Sequence, residues 1–248
     1  MSLPQELKEV SQNRGLFGGV FELIRDPTLK FFASKGHHVE LTKEGSLAKH
    51  TDAVESDFDI VIQPATEGGA MWQKRAERAE FEQLAATLKQ VRGIHEASAG
   101  ELAIHIKCQV PGGMADVDLV PQQNPWVVDP PLPIKPHDDE FKNKEHAQNA
   151  VRGIKNYARL RKIKNVAGYL IETRVLEQVR NGVDTEILLF LKVLAQANGF
   201  PPEFQQQAKA DFSTMCKYKR GQLSDQDVQR LPAWMLYICK SDAWQPAT

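Results

Sequence analysis

Two aspartates at alternating positions, Asp57 and Asp59, follow a Gly45-Ser46 dipeptide after ten residues, and Asp116 and Asp118 repeat the alternation further on. Carboxylates at i and i+2 of a strand point to the same side of a sheet. Together they offer the hard oxygen donors that Mg²⁺ or Mn²⁺ prefers. A Gly-Ser bend just upstream can bring backbone N–H groups and a hydroxyl up to a phosphate chain. The combination predicts a site for divalent metal and a nucleoside triphosphate, with Asp57, Asp59 and Asp118 as ligands. Asp118 is preferred as the third carboxylate because Val117 and Leu119 anchor it centrally, whereas Asp116 sits beside a turn and stays the competing choice. Three such groups suffice for a two-metal mechanism. The plainer alternative is a set of aspartates that cap strands or solubilise a sheet face.

These residues need strands to hold them. Asp57–Gln63 alternates apolar Phe58, Ile60 and Ile62 with the acids, and His38–Leu41 reads as a short strand before Gly45. Glu101–Val110 places Leu102, Ile104, Ile106 and Cys108 on one side, with His105 and Lys107 on the other. Pro111-Gly112-Gly113-Met114 then turns the chain into Ala115–Val120, a probable hairpin partner. Helical spacing covers residues 3–12, 16–35 (with a kink or break at Pro27) and 71–93. Prolines 121, 125, 130, 131, 133 and 136 mark a boundary between lobes. Beyond it the pattern is helical: 143–161, 166–181, 184–198, 202–215 and 224–240. The expected class is α+β, a small mixed sheet with flanking helices (1–140) followed by a helical lobe (141–248).

Bulk properties agree with this division. The net charge of −1 hides an acidic first part, residues 1–141 with 14 Lys/Arg against 22 Asp/Glu, and a basic remainder with 17 against 10. An acidic part that recruits cations and a basic part that attracts phosphates suit nucleotide chemistry. Cys108, Cys216 and Cys239 are too few and too scattered for a disulfide framework or a zinc site. With no long apolar run and a polar N-terminus, the expectation is a cytoplasmic protein without a membrane partner. His37, His38 and His50 lack ligand partners at metal-binding spacing. Trp72, Trp126, Trp234 and Trp244 are dispersed, so no stacking platform for nucleic acid is indicated.

Gly-Ser, ten residues, Asp-x-Asp and a later strand aspartate resemble the signature of the DNA polymerase β-type nucleotidyltransferase superfamily. Val117-Asp118-Leu119-Val120-Pro121 is similar to the third-aspartate strand of 2′-5′-oligoadenylate synthases and bacterial cyclic-oligonucleotide synthases. Val151–Tyr157 resembles their helix with a triphosphate-contacting lysine, here Lys155, beside Arg152. Gly168-Tyr169-Leu170-Ile171-Glu172 looks like the helix that opens with a base-stacking residue, here Tyr169. Lys49-His50-Thr51 is similar to the loop that follows Gly-Ser in the family. No zinc-binding Cys/His insertion is present, unlike the animal cyclic GMP-AMP synthase branch, and the loop 63–70 is short.

The resemblance implies a Mg²⁺- or Mn²⁺-dependent, template-independent enzyme. It would use ATP or another NTP to make a linear or cyclic oligonucleotide signal of the kind used in antiviral defence. Gly45, Ser46, Arg152, Lys155 and Tyr169 would bind the nucleotide, and the helical lobe would close over it. Val151–Asn165 holds six basic residues and no acid. Within it Arg152, Lys155, Arg159 and Lys162 are spaced as one helix stripe, able to face triphosphate or RNA. Terminal transfer to RNA or a tRNA 3′ end is one alternative. A catalytically inactive nucleotide-binding scaffold is the other.

Overall fold

The computed structural model describes residues 2–10, 12–53, 57–64, 78–100, 103–121 and 138–246. In chain order the elements are α1 (Gln5–Lys8), a 3-10 turn (Gln12–Leu16), α2 (Phe17–Ser34), β1 (Val39–Glu44), α3 (Gly45–Ala48), β2 (Phe58–Pro64), α4 (Arg78–Leu88), β3 (Ile94–Ala99), β4 (Ile104–Val110) and β5 (Gly113–Pro121). The helices α5 (Asp138–Phe141), α6 (Glu145–Leu160), α7 (Gly168–Arg180), α8 (Glu186–Ala195), α9 (Pro202–Lys219), α10 (Asp225–Gln229) and α11 (Ala233–Lys240) follow.

The chain divides into two compact units, each assembled from separate pieces. A sheet unit comprises Ser11–Ala48 and Glu55–Ile134, and a helical unit comprises Met1–Val10, Lys49–Val54 and Lys135–Thr248. The sequence suggested one cut near residue 140. Instead the chain passes to the helical unit for six residues immediately after Gly45–Ala48 and then returns.

In the sheet unit the strand order is β1-β2-β5-β4-β3, with β2 and β5 parallel and the other neighbours antiparallel. Phe58, Ile60, Ile62, Ile104, Ile106, Cys108, Ala115, Val117 and Leu119 are buried and join one core with Val20, Ile24 and Phe32 of α2 and Phe81, Leu84 and Leu88 of α4. Alternation along β4 is complete, with each even-numbered residue buried and each odd-numbered one exposed. The expected hairpin is present, from Val110 opposite Gly113 to Ile104 opposite Leu119.

Three expectations need correction here. Pro27 neither breaks nor ends α2, because it removes a single N–H while Ile24, Thr28 and Phe32 on the same stripe stay buried and Thr28 Oγ1 donates to the Ile24 carbonyl at 2.8 Å. The helix expected to reach residue 93 stops at Leu88, and β3 follows. With Ile94 as its one large apolar residue, β3 gives almost no periodic signal and exists because β4 supplies its hydrogen-bonding partner. The helix expected over 3–12 shrinks to α1 and the 3-10 turn. The prolines from 125 to 136, Leu102, residues 65–77 and Trp72 and Trp126 lie outside the described residues.

The helical unit is built around Tyr157, whose ring meets Phe190, Phe204 and Trp234 edge-on at centroid distances of 5.9, 5.7 and 5.7 Å. Its hydroxyl donates to Asp211 Oδ2 at 2.9 Å, and Arg161 grips the same carboxylate through Nε and Nη2 at 2.8 and 2.7 Å. Burial, then the Asp211 charge, pushes the phenol well above its ordinary range. Leu3 and Leu7 from the N-terminal piece enter this core, and a side chain at Gly153 would collide with Leu3 Cδ1 at 2.6 Å. Among the described residues no helix is long and apolar enough to cross a membrane.

Asp211→Ala leaves a guanidinium and a buried hydroxyl without their acceptor. Equilibrium denaturation should show a loss of about 2–4 kcal/mol. A change under about 0.5 kcal/mol, the usual range for a surface substitution, would show that the network is not stabilising.

Candidate active site

The sheet register gathers the acidic residues. Asp59 on β2 is the Cα partner of Asp118 on the parallel strand β5, and Asp118 is in turn opposite His105 on β4. Burial of Phe58 and Ile60 on one strand, and of Val117 and Leu119 on the other, turns both carboxylates to the opposite face. His105 Nδ1 lies 2.6 Å from Asp118 Oδ1. A carboxylate only accepts, so this ring nitrogen carries the proton.

Asp57 precedes β2 on the accessible side. Partial withdrawal from water, then the charges of Asp118, Asp116 and Asp59, push its carboxyl up to about 6, with His105 opposing. Asp116 therefore belongs to the same electrostatic field but lies opposite Lys107 and not beside Asp59. That placement favours Asp118 as the third carboxylate.

Gly45 completes this corner. Its φ of +68° lies in the left-handed region, and a Cβ there would fall 1.7 Å from Asp59 Oδ2. Glycine is thus required twice, once by the backbone and once by the carboxylate resting against it. Gly45 and Ser46 open the short helix α3 directly after β1, whose last residue Glu44 pairs with Asp59.

These oxygens fit a divalent cation by donor type and by charge, since a cation would offset both the withdrawal from water and the acidic neighbours that raise the Asp57 pKa. Among the described residues no three His, Cys, Asp or Glu side chains form a ready-made metal cage.

The remaining expected ligands lie in the helical unit. Lys155 sits on α6 with its ammonium 3.8 Å from Glu172 Oε1, and a Cβ on Gly168, at the start of α7, would be 3.5 Å from Nζ. Tyr169, the next residue of α7, is half-buried. Glu172 is almost wholly buried and accepts from Lys49 Nζ and Thr51 Oγ1, each at 3.0 Å. Motif and spacing alone leave Lys49, Thr51 and Glu172 without a role. An acid one helical turn after Tyr169, directly behind the apolar pair Leu170-Ile171, is the available signal.

Arg152 is engaged within the helical unit. Its Nη1 donates to Asn149 Oδ1 and the Lys8 carbonyl at 3.0 and 3.4 Å, and its Nη2 donates to the His50 carbonyl at 2.8 Å, all within a buried setting. The four-residue basic stripe does not form on one helix face. Arg159 pairs with Glu9 at 3.3 Å, and α6 ends at Leu160, so Lys162 follows in a turn with φ 57°. Helical spacing was extended two residues past the helix.

No protein-family model matches the chain, and no curated protein sequence matches it. Solved structures do. The polymerase core of TRAMP, an RNA surveillance complex, matches at TM-score 0.56 and 12% identity over 92% of this chain and 88% of its own. The CdnE cyclic dinucleotide synthase of Elizabethkingia meningoseptica, solved with GTP and Apcpp, matches at 0.53 and 16% over 88% of this chain and 97% of its own. The GLD-2/RNP-8 complex matches at 0.53 and 12% over 73% of this chain, which spans 54% of that one. At such identities the shared property is the fold, and the chain has the α+β nucleotidyltransferase fold.

Two outcomes test this corner. Gly45→Ala should lower the melting temperature more than Gly36→Ala, because both glycines have left-handed φ (about 1–2 kcal/mol of strain each) but only Gly45 has a carboxylate in the way; equal losses would remove the close approach. In metal-free buffer the raised Asp57 pKa makes the folded state bind the extra proton between pH 3.8 and about 6. Stability from this group is therefore present at low pH and lost as pH rises through that window. Asp57→Asn should raise the melting temperature by a few degrees at pH 7.5, and the gain should vanish near pH 4. Identical curves at both pH values would refute the raised Asp57 pKa.

Proposed function

We propose that this chain, built on the nucleotidyltransferase fold, is a template-independent nucleotidyltransferase. It takes a nucleoside triphosphate, ATP foremost, and joins the nucleotidyl group to a hydroxyl with release of pyrophosphate. The observation that carries this reading is the register pair Asp59–Asp118, with Asp57 alongside and Gly45 against the Asp59 carboxylate.

Asp57, Asp59 and Asp118 would hold divalent cations, Mg²⁺ or Mn²⁺, which when bound lower the pKa of an attacking hydroxyl and stabilise the leaving phosphate. The chain's own residues do the positioning. Gly45 and Ser46 would supply backbone N–H groups and a hydroxyl to the phosphate chain. Lys155 would take a triphosphate oxygen from its place beside Glu172, 3.8 Å away. Tyr169, on the same helix start, would stack on the base. Arg152 is left out, because its guanidinium already ties together three pieces of the helical unit.

Within this class we favour synthesis of a short linear or cyclic oligonucleotide over extension of an RNA. The CdnE neighbour, a cyclic dinucleotide synthase, is covered over 97% of its length. The polymerase core of TRAMP, an RNA surveillance complex, covered over 88% of its length, keeps RNA extension as the alternative. Cysteines without disulfide partners fit a reducing, cytoplasmic setting.

Purified protein incubated with each labelled NTP and Mg²⁺ or Mn²⁺, with and without RNA, tests the reading. Product formed without RNA supports oligonucleotide synthesis, and mass spectrometry identifies it. Product formed only on RNA assigns terminal transfer. Bound NTP with no product assigns a scaffold. Asp57→Asn, Asp59→Asn and Asp118→Asn should each lower turnover by about a thousandfold or more, whereas Asp116→Asn should leave most of it. Lys155→Ala should raise KM for the NTP more than it lowers kcat. An active Asp59→Asn enzyme would overturn the assignment.

A further inference from the structure

We infer that His105 is a positioning residue for the third carboxylate: its Nδ1–H holds Asp118 by Oδ1, so that Oδ2 is presented to a divalent cation. The inference rests on the reading that Asp118 is a metal ligand. It adds a residue from a strand outside the acidic pair.

Three observations support it. Asp59, Asp118 and His105 occupy one row across three neighbouring strands, with Asp118 in the middle. A free aspartate on an open sheet face samples several rotamers, and repulsion from Asp59 and Asp57 would turn it away. The 2.6 Å contact from the other side opposes both effects. Ligating carboxylates are commonly oriented in this way by a second hydrogen-bonding group, whose loss weakens metal affinity by about 10–100-fold.

The imidazole is itself placed by its surroundings. Gly100, at the end of β3, would put a Cβ 2.6 Å from His105 Nε2 and 2.9 Å from Cδ2. Its φ lies outside the left-handed region, so space and not backbone conformation demands glycine there. The Gly100 N–H donates to the Ala103 carbonyl at 2.7 Å, which fixes that bare backbone beside the ring. His105 is also mostly exposed, at 60%, against 33% for Asp118. A side chain so open contributes little to the core, and its placement needs a reason other than packing.

The experiment measures Mn²⁺ binding without nucleotide, by electron paramagnetic resonance of free Mn²⁺, for the wild type and for His105→Ala, His105→Asn, His105→Gln, Gly100→Ala and Asp118→Asn. Melting curves check that each variant folds. His105→Ala should weaken binding about tenfold. Asparagine, whose Nδ2 falls near the position of Nδ1, should restore most of the loss. Glutamine, whose donor falls near Nε2, should not. Gly100→Ala should resemble His105→Ala, because it displaces the ring. Wild-type affinity in His105→Ala, with Asp118→Asn still impaired, overturns the inference and leaves the metal reading standing. Equal loss in the Ala, Asn and Gln variants also overturns it, since ring bulk and not the donor would then matter. A wild type that binds no Mn²⁺ removes the underlying metal reading along with the inference.

Discussion

The parallel pairing of β2 with β5 is the constraint on which the acidic corner depends. Neither strand can shift by one residue without reversing every side chain it carries. Such a slip would expose Phe58, Ile60, Ile62, Val117 and Leu119 and drive Asp59 and Asp118 beneath α2 and α4. Burying each of those side chains is worth about 1.5–3 kcal/mol, and forcing unpaired carboxylates into the core would cost several more. The register that aligns Asp59 with Asp118 is therefore fixed by the apolar faces, not by the acids. The acids are carried into place by residues with no chemical part to play.

Their proximity works against the folded state when no cation is bound. Asp57 shows this directly, with a carboxyl raised to about 6 by withdrawal from water and by three acidic neighbours. A chain selected for stability alone would place a lysine or an amide in this row. Here the His105 imidazole, from within the sheet, meets one oxygen of Asp118. Sites built for ligands tend to keep such unfavourable arrangements and draw the needed stability from the scaffold around them.

The acidic corner was legible in the sequence because everything it needs is local or periodic. Alternation of Asp57 and Asp59 with Phe58 and Ile60 gives the face, and the hairpin at Gly112-Gly113 gives the β4–β5 register. The edge strand β3 was not legible, since Ile94-His95-Glu96-Ala97-Ser98-Ala99 has too little apolar pattern to declare itself without β4. Pro27 misled in the opposite direction. The local rule allows a break there, and packing on both sides of the proline carries α2 through without one.

The basic segment of α6 shows where pattern reading fails in principle. Spacing says that Arg152, Lys155 and Arg159 project from one helix, but not which distant atoms await them. Arg152 meets carbonyls of Lys8 and His50, 144 and 102 residues away along the chain, and Arg159 meets Glu9. Lys49 and Lys155 both approach Glu172, so a run that looks uniformly positive in sequence is locally balanced by an acid from the next helix. Charge counted along a chain overstates the charge offered to a ligand wherever distant segments fold against the helix. Arg152 and Lys155 illustrate the two outcomes. The first donates to two backbone carbonyls and an amide oxygen, at 3.4, 2.8 and 3.0 Å, and is a structural tie. The second sits on the same helix with its ammonium 3.8 Å from the Glu172 carboxylate, a side-chain charge pair and not a backbone anchor.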